Sequence, residues 1–193
     1  MSARSGIKSA MCLLFGAFFL LTHTESLLAQ SSSAQITISG TSTLRGWSCE
    51  GPGNIEASPG NSGEGVHGFP DGLAAAVVTV PVFDIVCGEG DEMTDHMREA
   101  LHADEFSEIV YQLEEYTVTG NGTAQVSGSL TIAGVTNPIN MNVALQPEGD
   151  ALRATGETPI DMTEYGVEPP RVMLGLLQVR DVARVAFDAL LYP

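Results

Sequence analysis

Apolar and polar residues alternate with a period of two over most of the chain after residue 34. This period is typical of a β-strand with one face buried and the other in water. Because at least five successive segments show it, the chain is predicted to be all-β with one buried sheet face. The apolar positions of these segments are Ile36 and Ile38; Ile109, Tyr111 and Leu113; Val126, Leu130 and Ile132; Ile139, Met141, Val143 and Leu145; Leu152, Ala154 and Ile160; and Val185, Phe187, Ala189 and Leu191.

Short turns join these segments. Asn121-Gly122 is a two-residue hairpin signal of the type I′ class, and residues 134–137 supply another turn. Strands joined in this way form an antiparallel meander, and closing the sheet into a barrel removes its exposed edges. The inner face then lines either a packed core or a cavity, and eight strands leave room for one small ligand. The alternation alone leaves both possibilities open.

Two segments depart from this alternation. Residues 51–72 are rich in Gly, Pro, Ser and Asn, which predicts a long surface loop or hairpin excursion. Residues 73–86 are apolar on both parities, which predicts a strand covered on both faces, with an edge or bulge at Pro81.

One short helix is predicted over residues 92–102. Met93, Met97 and Leu101 fall there at i, i+4 and i+8, on a single stripe. Such a stripe most often packs into a core. Where a helix closes a barrel, the same face also contacts whatever the barrel holds, and methionine adapts well to an irregular chain.

Residues 162–175 are predicted to be a fixed crossing between two strands. Pro169 and Pro170 cannot both lie inside a helix or a central strand. The crossing has apolar side chains at Met162, Tyr165, Met173 and Leu174. A rigid apolar crossing at the end of a sheet indicates the mouth or floor of a barrel.

The first 29 residues have the features of a secretory signal. Arg4 and Lys8 precede an apolar core at residues 12–21, which is too short to span a bilayer of roughly 30 Å. Cleavage is predicted after Ala29, leaving one domain at residues 30–193 with no stable membrane anchor, in the periplasm or secreted. The alternative is an uncleaved anchor.

Cys49 and Cys87 are the only cysteines after residue 29. An even pair in an exported chain predicts a disulfide. Two independent buried thiols are the alternative, because sequence cannot show whether the two Cα atoms lie within reach.

The charge of the domain is strongly one-sided. Residues 30–193 contain six arginines, no lysine and 23 carboxylates. This balance argues against nucleic acid and anionic lipid headgroups as surface partners. It also fits an organism living in salt, which screens the repulsion among the carboxylates.

No motif of a known catalytic class is present. The sequence lacks a Gly-x-Ser-x-Gly elbow, a phosphate loop and a dinucleotide fingerprint. His96 and His102 are six residues apart, so a helix places them on different faces and they do not share a metal. No enzyme activity, cofactor or metal site is therefore predicted.

Five stretches, taken in order, resemble the YceI-like family of periplasmic lipid- or polyisoprenoid-binding proteins, in its branch with a PP-x-x-x-LG crossing. They are residues 39–47 (SGTSTLRGW), 95–111, 128–136, 162–175 and 181–187. The resemblance implies an eight-stranded antiparallel barrel of lipocalin-like topology, with a helix near its opening. It also implies a long apolar cavity for an isoprenoid or other amphiphilic chain. Many relatives carry proline where this chain has Ser107, and the ligand of other branches does not transfer safely.

The alternation and the resemblance together leave two hypotheses for the function. The first is carriage of an isoprenoid- or fatty-acid-like lipid, and the second is a structural or stress-related barrel with a filled core. Trp47 is either a packing anchor or a cavity wall, and Arg171 either meets a phosphate or only aids solubility. The oligomeric state stays open, a homodimer included. The expected ligand contacts are Trp47, Met97, Leu101, Leu130, Met141, Tyr165, Met173, Phe187 and Arg171.

Overall fold

The computed structural model describes residues 31–172 and 176–193, and within them the chain is built almost wholly of β-strands. Single turns of 3₁₀ helix lie at Val82–Asp84 and Met162–Tyr165. The elements are β1 (Ser33–Thr41), β2 (Gly46–Pro59), β3 (Leu73–Pro81), β4 (Val86–Cys87), α1 (Asp91–Ala100), β5 (Glu108–Gly120), β6 (Thr123–Ile132), β7 (Val135–Glu148), β8 (Ala151–Asp161), β9 (Arg171–Val172), β10 (Leu177–Gln178) and β11 (Val182–Leu191).

Eight long strands close into an antiparallel barrel. Their order is β1-β11-β8-β7-β6-β5-β3-β2, and pairing of β1 with β2 completes the circle. Tight turns keep sequential strands adjacent: Asn121 and Gly122 have φ values of 54° and 70°, as a type I′ turn requires. Ala133 and Gly134 repeat this geometry between β6 and β7. The predicted fold class is confirmed.

The interpretation of residues 51–72 as a loop is wrong over its first nine residues. β2 continues through Pro59 and pairs with β1 and β3, so the loop covers only residues 60–72. Gly51 and Gly53 occupy inward positions without an apolar side chain, which hides the alternation. A Cβ at Gly51 would lie 2.9 Å from Cγ1 of Ile85, so the absence of a side chain is a packing requirement.

The predicted strand at residues 73–86 is shorter than expected. β3 ends at Pro81, where the chain turns through 3₁₀ helix before the short β4. Proline has no N–H to continue the ladder, so it terminates the strand here.

The helix is fastened to the barrel wall through β4. Cys87 is paired with Cys49 across the sheet and the two are joined by a disulfide. The hydroxyl of Thr94, which is buried, accepts the Cys87 N–H at 3.0 Å and donates to the Gly90 carbonyl at 3.2 Å. The apolar stripe of α1 is therefore held over one opening of the barrel.

The two ends of the barrel differ. The β1–β2 hairpin, α1, the β6–β7 turn and the crossing after β8 lie at one end, which we call the helix end. The loop at residues 60–72 lies at the opposite, distal end, where Phe69 is only 1% exposed and packs into the core. The side chain of Phe69 therefore belongs to the barrel core at the distal end.

Few of the carboxylates are neutralised by ion pairs. Among the arginines of the described residues, only Arg98, Arg153 and Arg184 lie within 4.0 Å of a carboxylate, and His96 lies 3.8–3.9 Å from Glu92 and Glu99. Repulsion among the remaining acidic groups therefore opposes the folded state.

We expect the melting temperature to rise between low salt and about 1 M NaCl, where the Debye length falls to roughly 3 Å. Each kcal/mol of repulsion relieved corresponds to about 2–4 °C in a domain of this size. Thermal unfolding followed by circular dichroism over a NaCl series measures the shift. A flat or falling response would show that the carboxylates are already spaced well enough.

Candidate ligand cavity

The barrel contains two adjoining chambers, one inside the strands and one beneath the helix end. The inner chamber has a volume of about 200 Å³ and the mouth chamber about 120 Å³. A single water molecule needs roughly 10–15 Å³ by the same measure. The chambers adjoin at six shared lining residues: Ile36, Val80, Ile109, Leu130, Ile160 and Val185.

The inner chamber is lined by the inward-facing residues of all eight strands. Leu130, Met141 and Phe187, three of the expected ligand contacts, are among them. The ring of Phe187 lies directly against Gly156, where a Cβ would be 2.7 Å from it. A larger residue at position 156 would push the Phe187 ring into the chamber. Gly156 therefore keeps this part of the chamber open.

The mouth chamber is covered by α1 and by the crossing. Met97 and Leu101 face it from the helix and Tyr165 from the 3₁₀ turn after β8. Tyr165 is 3% exposed and belongs to the apolar cluster beneath the crossing. Trp47 completes the wall by lying over Gly40, where a Cβ would meet the indole ring at 2.5 Å.

The structure separates one expected contact from the chambers. Arg171 is exposed in β9 and lines neither chamber, although the preceding Pro170 lines the mouth chamber. A head-group role for Arg171 stays a prediction. Met173 lies outside the described residues.

Sequence reasoning missed several lining residues. Ile55 of β2 was hidden among glycines, and Val78 lies in the segment that is apolar on both parities. Val167 and Val179 of the crossing line the mouth chamber and are almost fully buried. For Val179, the available signal in the sequence was its alternation with the charged Arg180.

The chambers offer almost no polar contact. None of their lining residues carries a charge, and Thr158 and three tyrosines are the only ones with hydroxyl groups. The Tyr111 hydroxyl and the Trp47 indole N–H are buried without a hydrogen-bond partner in the described residues. Burial, followed by the nearby Glu114 carboxylate, raises the pKa of Tyr111 to about 12.

We expect Tyr111→Phe to raise the free energy of unfolding by about 1 kcal/mol, because a buried unpaired hydroxyl costs roughly 1–3 kcal/mol. Tyr116→Phe is the matched control, since the Tyr116 hydroxyl donates to the Glu64 carbonyl and accepts the Leu73 N–H at 3.0 Å. It should destabilise by about 1 kcal/mol. Urea unfolding measures both. Destabilisation by Tyr111→Phe would contradict an unpaired hydroxyl.

Neither a metal-ligand cluster nor a membrane-spanning helix is found in the described ranges. They contain no group of three or more His, Cys, Asp or Glu side chains arranged to hold a metal ion. Their helix is not long and apolar enough to cross a bilayer.

Comparison with protein families matches residues 26–190 to the YceI-like domain. A search of curated proteins finds no significant match.

Solved structures with the same barrel are similar at low sequence identity. Burkholderia cenocepacia BcnA is 14% identical with a TM-score of 0.66, over 82% of this chain and 96% of that protein. A polyisoprenoid binding domain from Saccharophagus degradans, described as implicated in plant cell wall breakdown, is 14% identical with a TM-score of 0.60, over 82% and 92%. The Campylobacter jejuni YceI protein is 14% identical with a TM-score of 0.55, over 73% and 84%. At this identity the likeness concerns the fold.

Proposed function

The chain belongs to the YceI-like domain family, and from this membership we propose that it is an exported protein that binds a long apolar or amphiphilic chain of isoprenoid or fatty-acid type. The observation that carries the proposal is the pair of adjoining chambers, which together extend through the barrel to the helix end. A cavity of this shape suits a chain better than a compact molecule. Burial of each CH₂ group there contributes about 0.8 kcal/mol before ordering costs.

The lining determines which part of the ligand lies inside. An ionised group in a chamber without charged partners would pay a desolvation penalty of several kcal/mol. The portion within the chambers is therefore uncharged, and any ionised head group stays outside the helix end. At the distal end the buried Phe69 packs into the core instead.

Two further observations support this function and an oxidising location. A structural neighbour is described as a polyisoprenoid binding domain, which agrees with a chain-shaped ligand. The Cys49–Cys87 disulfide agrees with export through the signal expected at residues 1–29, which lie outside the described residues. We place the protein in the periplasm or outside the cell.

Trp47 provides the direct test, because it is the only tryptophan and lines the mouth chamber. Long-chain alcohols carrying a nitroxide at different carbons should quench its fluorescence in a saturable way. Quenching should depend on the nitroxide position, since the chambers hold the chain in one direction. Quenching that rises linearly without saturation would instead support the structural barrel with no ligand.

The Met97→Asp variant shows whether α1 only covers the cavity or forms part of a solid core. Met97 faces the mouth chamber from α1, and a carboxylate there would lie against apolar atoms of the bound chain. We expect probe affinity to fall at least tenfold while the urea midpoint changes little. Asp95→Asn, on the exposed side of the helix, is the control and should leave affinity unchanged. Unfolding of Met97→Asp would show that Met97 supports the fold itself.

A further inference from the structure

Exposed apolar side chains are concentrated at the helix end. Every exposed large hydrophobic residue in the described part of the chain lies in the β1–β2 hairpin, the connection through α1, the β6–β7 turn or the segment that leads into β11. These residues are Leu44, Phe83, Val86, Val135, Leu176 and Val182. Leu44 and Leu176 are the most exposed, at 69% and 74%.

Three arginines lie in the two chain segments that carry the most exposed leucines. Arg45 follows Leu44 in the β1–β2 hairpin, Arg171 lies in β9, which pairs with the strand β10 that follows Leu176, and Arg180 lies two residues after β10. All three arginines are exposed. We call these five residues the arginine–leucine patch.

Backbone hydrogen bonds make the patch one continuous surface. The Thr43 N–H donates to the Gln178 carbonyl at 3.0 Å, and the Thr43 hydroxyl donates to the Leu176 carbonyl at 2.9 Å. The Arg180 N–H donates to the Thr41 carbonyl at 2.9 Å. These bonds join the hairpin tip to the crossing, directly outside the mouth chamber.

The arginines of the patch have no ion-pair partner among the described residues. The other three arginines of the domain, Arg98, Arg153 and Arg184, each lie within 4.0 Å of a carboxylate. Glu168 and Asp181 are the carboxylates nearest to the patch in sequence, and neither pairs with it. The domain has 23 carboxylates and a strongly negative surface. The three unpaired arginines of the patch make this part of the surface locally positive.

We propose that the arginine–leucine patch docks the helix end onto a bilayer that contains anionic phospholipid. Leucines at the tips of two adjacent turns suit shallow insertion between head groups, and flanking arginines suit the phosphates. A stable protein partner would need roughly 20–30 residues on this side, far more than the patch provides. Reversible contact of this kind is not a membrane anchor.

The docking proposal rests on the proposed function, which requires a loading site. An apolar chain has low solubility, so it enters most readily where the mouth chamber meets a membrane. The mouth chamber lies at the helix end, whereas at the distal end Phe69 is buried in the core. Pro170 and Val179 line the mouth chamber and directly precede Arg171 and Arg180, so docking brings the bilayer next to that chamber.

The patch revises the expectation that anionic lipid is repelled. Net charge averages over the whole surface, whereas screening in 0.15 M salt limits each contact to about 8 Å. The helix on the other side of the mouth carries carboxylates, including Glu92 and Glu99, so the opening has two sides of opposite sign. The bilayer contacts the crossing side, and the helix side faces water.

Vesicle flotation tests the proposal. Full-length mature protein in 50 mM NaCl should float with vesicles of phosphatidylcholine containing 30% phosphatidylglycerol, and hardly at all with phosphatidylcholine alone. Arg45→Gln, Arg171→Gln and Arg180→Gln together should lower the partition coefficient about 100-fold, since each arginine near the surface contributes about 1 kcal/mol. Leu44→Ser with Leu176→Ser should lower it about tenfold.

Two matched controls identify the patch as the cause. Asn61→Asp, Asn121→Asp and Gln125→Glu change the net charge by the same amount at exposed positions towards the distal end, and should leave partition within about threefold. Glu92→Gln with Glu99→Gln should raise partition, because repulsion on the helix side is removed. Equal losses in the patch and control variants would overturn docking through the patch.

Ligand binding is measured in parallel, by saturable quenching of Trp47 in vesicle-free solution. Retained quenching with no flotation of the wild type overturns docking and leaves the proposed function intact. If the wild type formed a dimer that the leucine variant lost, while the variant still bound vesicles, the patch would be a contact with a second copy of this chain. That result would overturn the proposal.

Discussion

Replacing Ala189 with tryptophan should abolish binding of long-chain probes while the barrel remains folded. Ala34, Ala189 and Ala154 are paired across β1, β11 and β8, all three are buried, and all line the inner chamber. This row of small side chains provides the width of the chamber. An indole introduced at its centre fills the space that the ligand chain requires.

The expected loss of affinity for nitroxide-labelled alcohols is at least 100-fold. Overpacking costs about 1–3 kcal/mol, which a stable barrel tolerates. Ala186→Trp is the control, because Ala186 lies three residues earlier in β11 on the outer face and lines neither chamber. Wild-type affinity in Ala189→Trp would mean that the ligand binds outside the inner chamber.

Removal of the disulfide should have the largest effect on stability. Cys49 and Cys87 close a loop with a sequence separation of 38, for which chain entropy gives about 3–4 kcal/mol. Both are almost fully buried, so alanine rather than serine is the appropriate replacement at each. The free energy of unfolding of the double alanine variant should be lower by this amount. Its urea midpoint should fall accordingly.

Loss of the disulfide should also weaken ligand binding. Cys49 lines the mouth chamber, and Cys87 holds the start of α1 through the hydroxyl of Thr94. Thr94→Val tests this link separately, because it removes the hydrogen bond and keeps the disulfide. If reduction of the wild type changed neither the urea midpoint nor the affinity, the disulfide would have no structural role.

The strands with alternating apolar residues were predicted correctly because each shows one face to water. β6, β7 and β11 have large aliphatic or aromatic residues inward, so period two is visible in the sequence. The closure of the barrel followed from their number and from short turns. These are local signals, which a single sequence contains.

The glycine-rich half of β2 escaped prediction for a physical reason. Its inward positions at Gly51 and Gly53 are empty because Ile85 and Ala34 occupy the space from other elements. Such a constraint is tertiary, and composition alone makes the segment look like a loop.

Whether the barrel is hollow also required the structure. A packed core and an apolar cavity have the same alternation. The difference lies in small residues such as Ala154 and Gly156, and in the close approach of Phe187 to Gly156. Their combined effect on volume appears only when the strands are aligned.

Native mass spectrometry of the protein purified from the cells that produce it tests the central claim most directly. We expect one chain-shaped lipid for each barrel, released on collisional activation and absent from Ala189→Trp prepared in the same way. Bare wild-type protein that also fails to take up added long-chain prenyl alcohols and fatty alcohols would contradict a lipid-binding function.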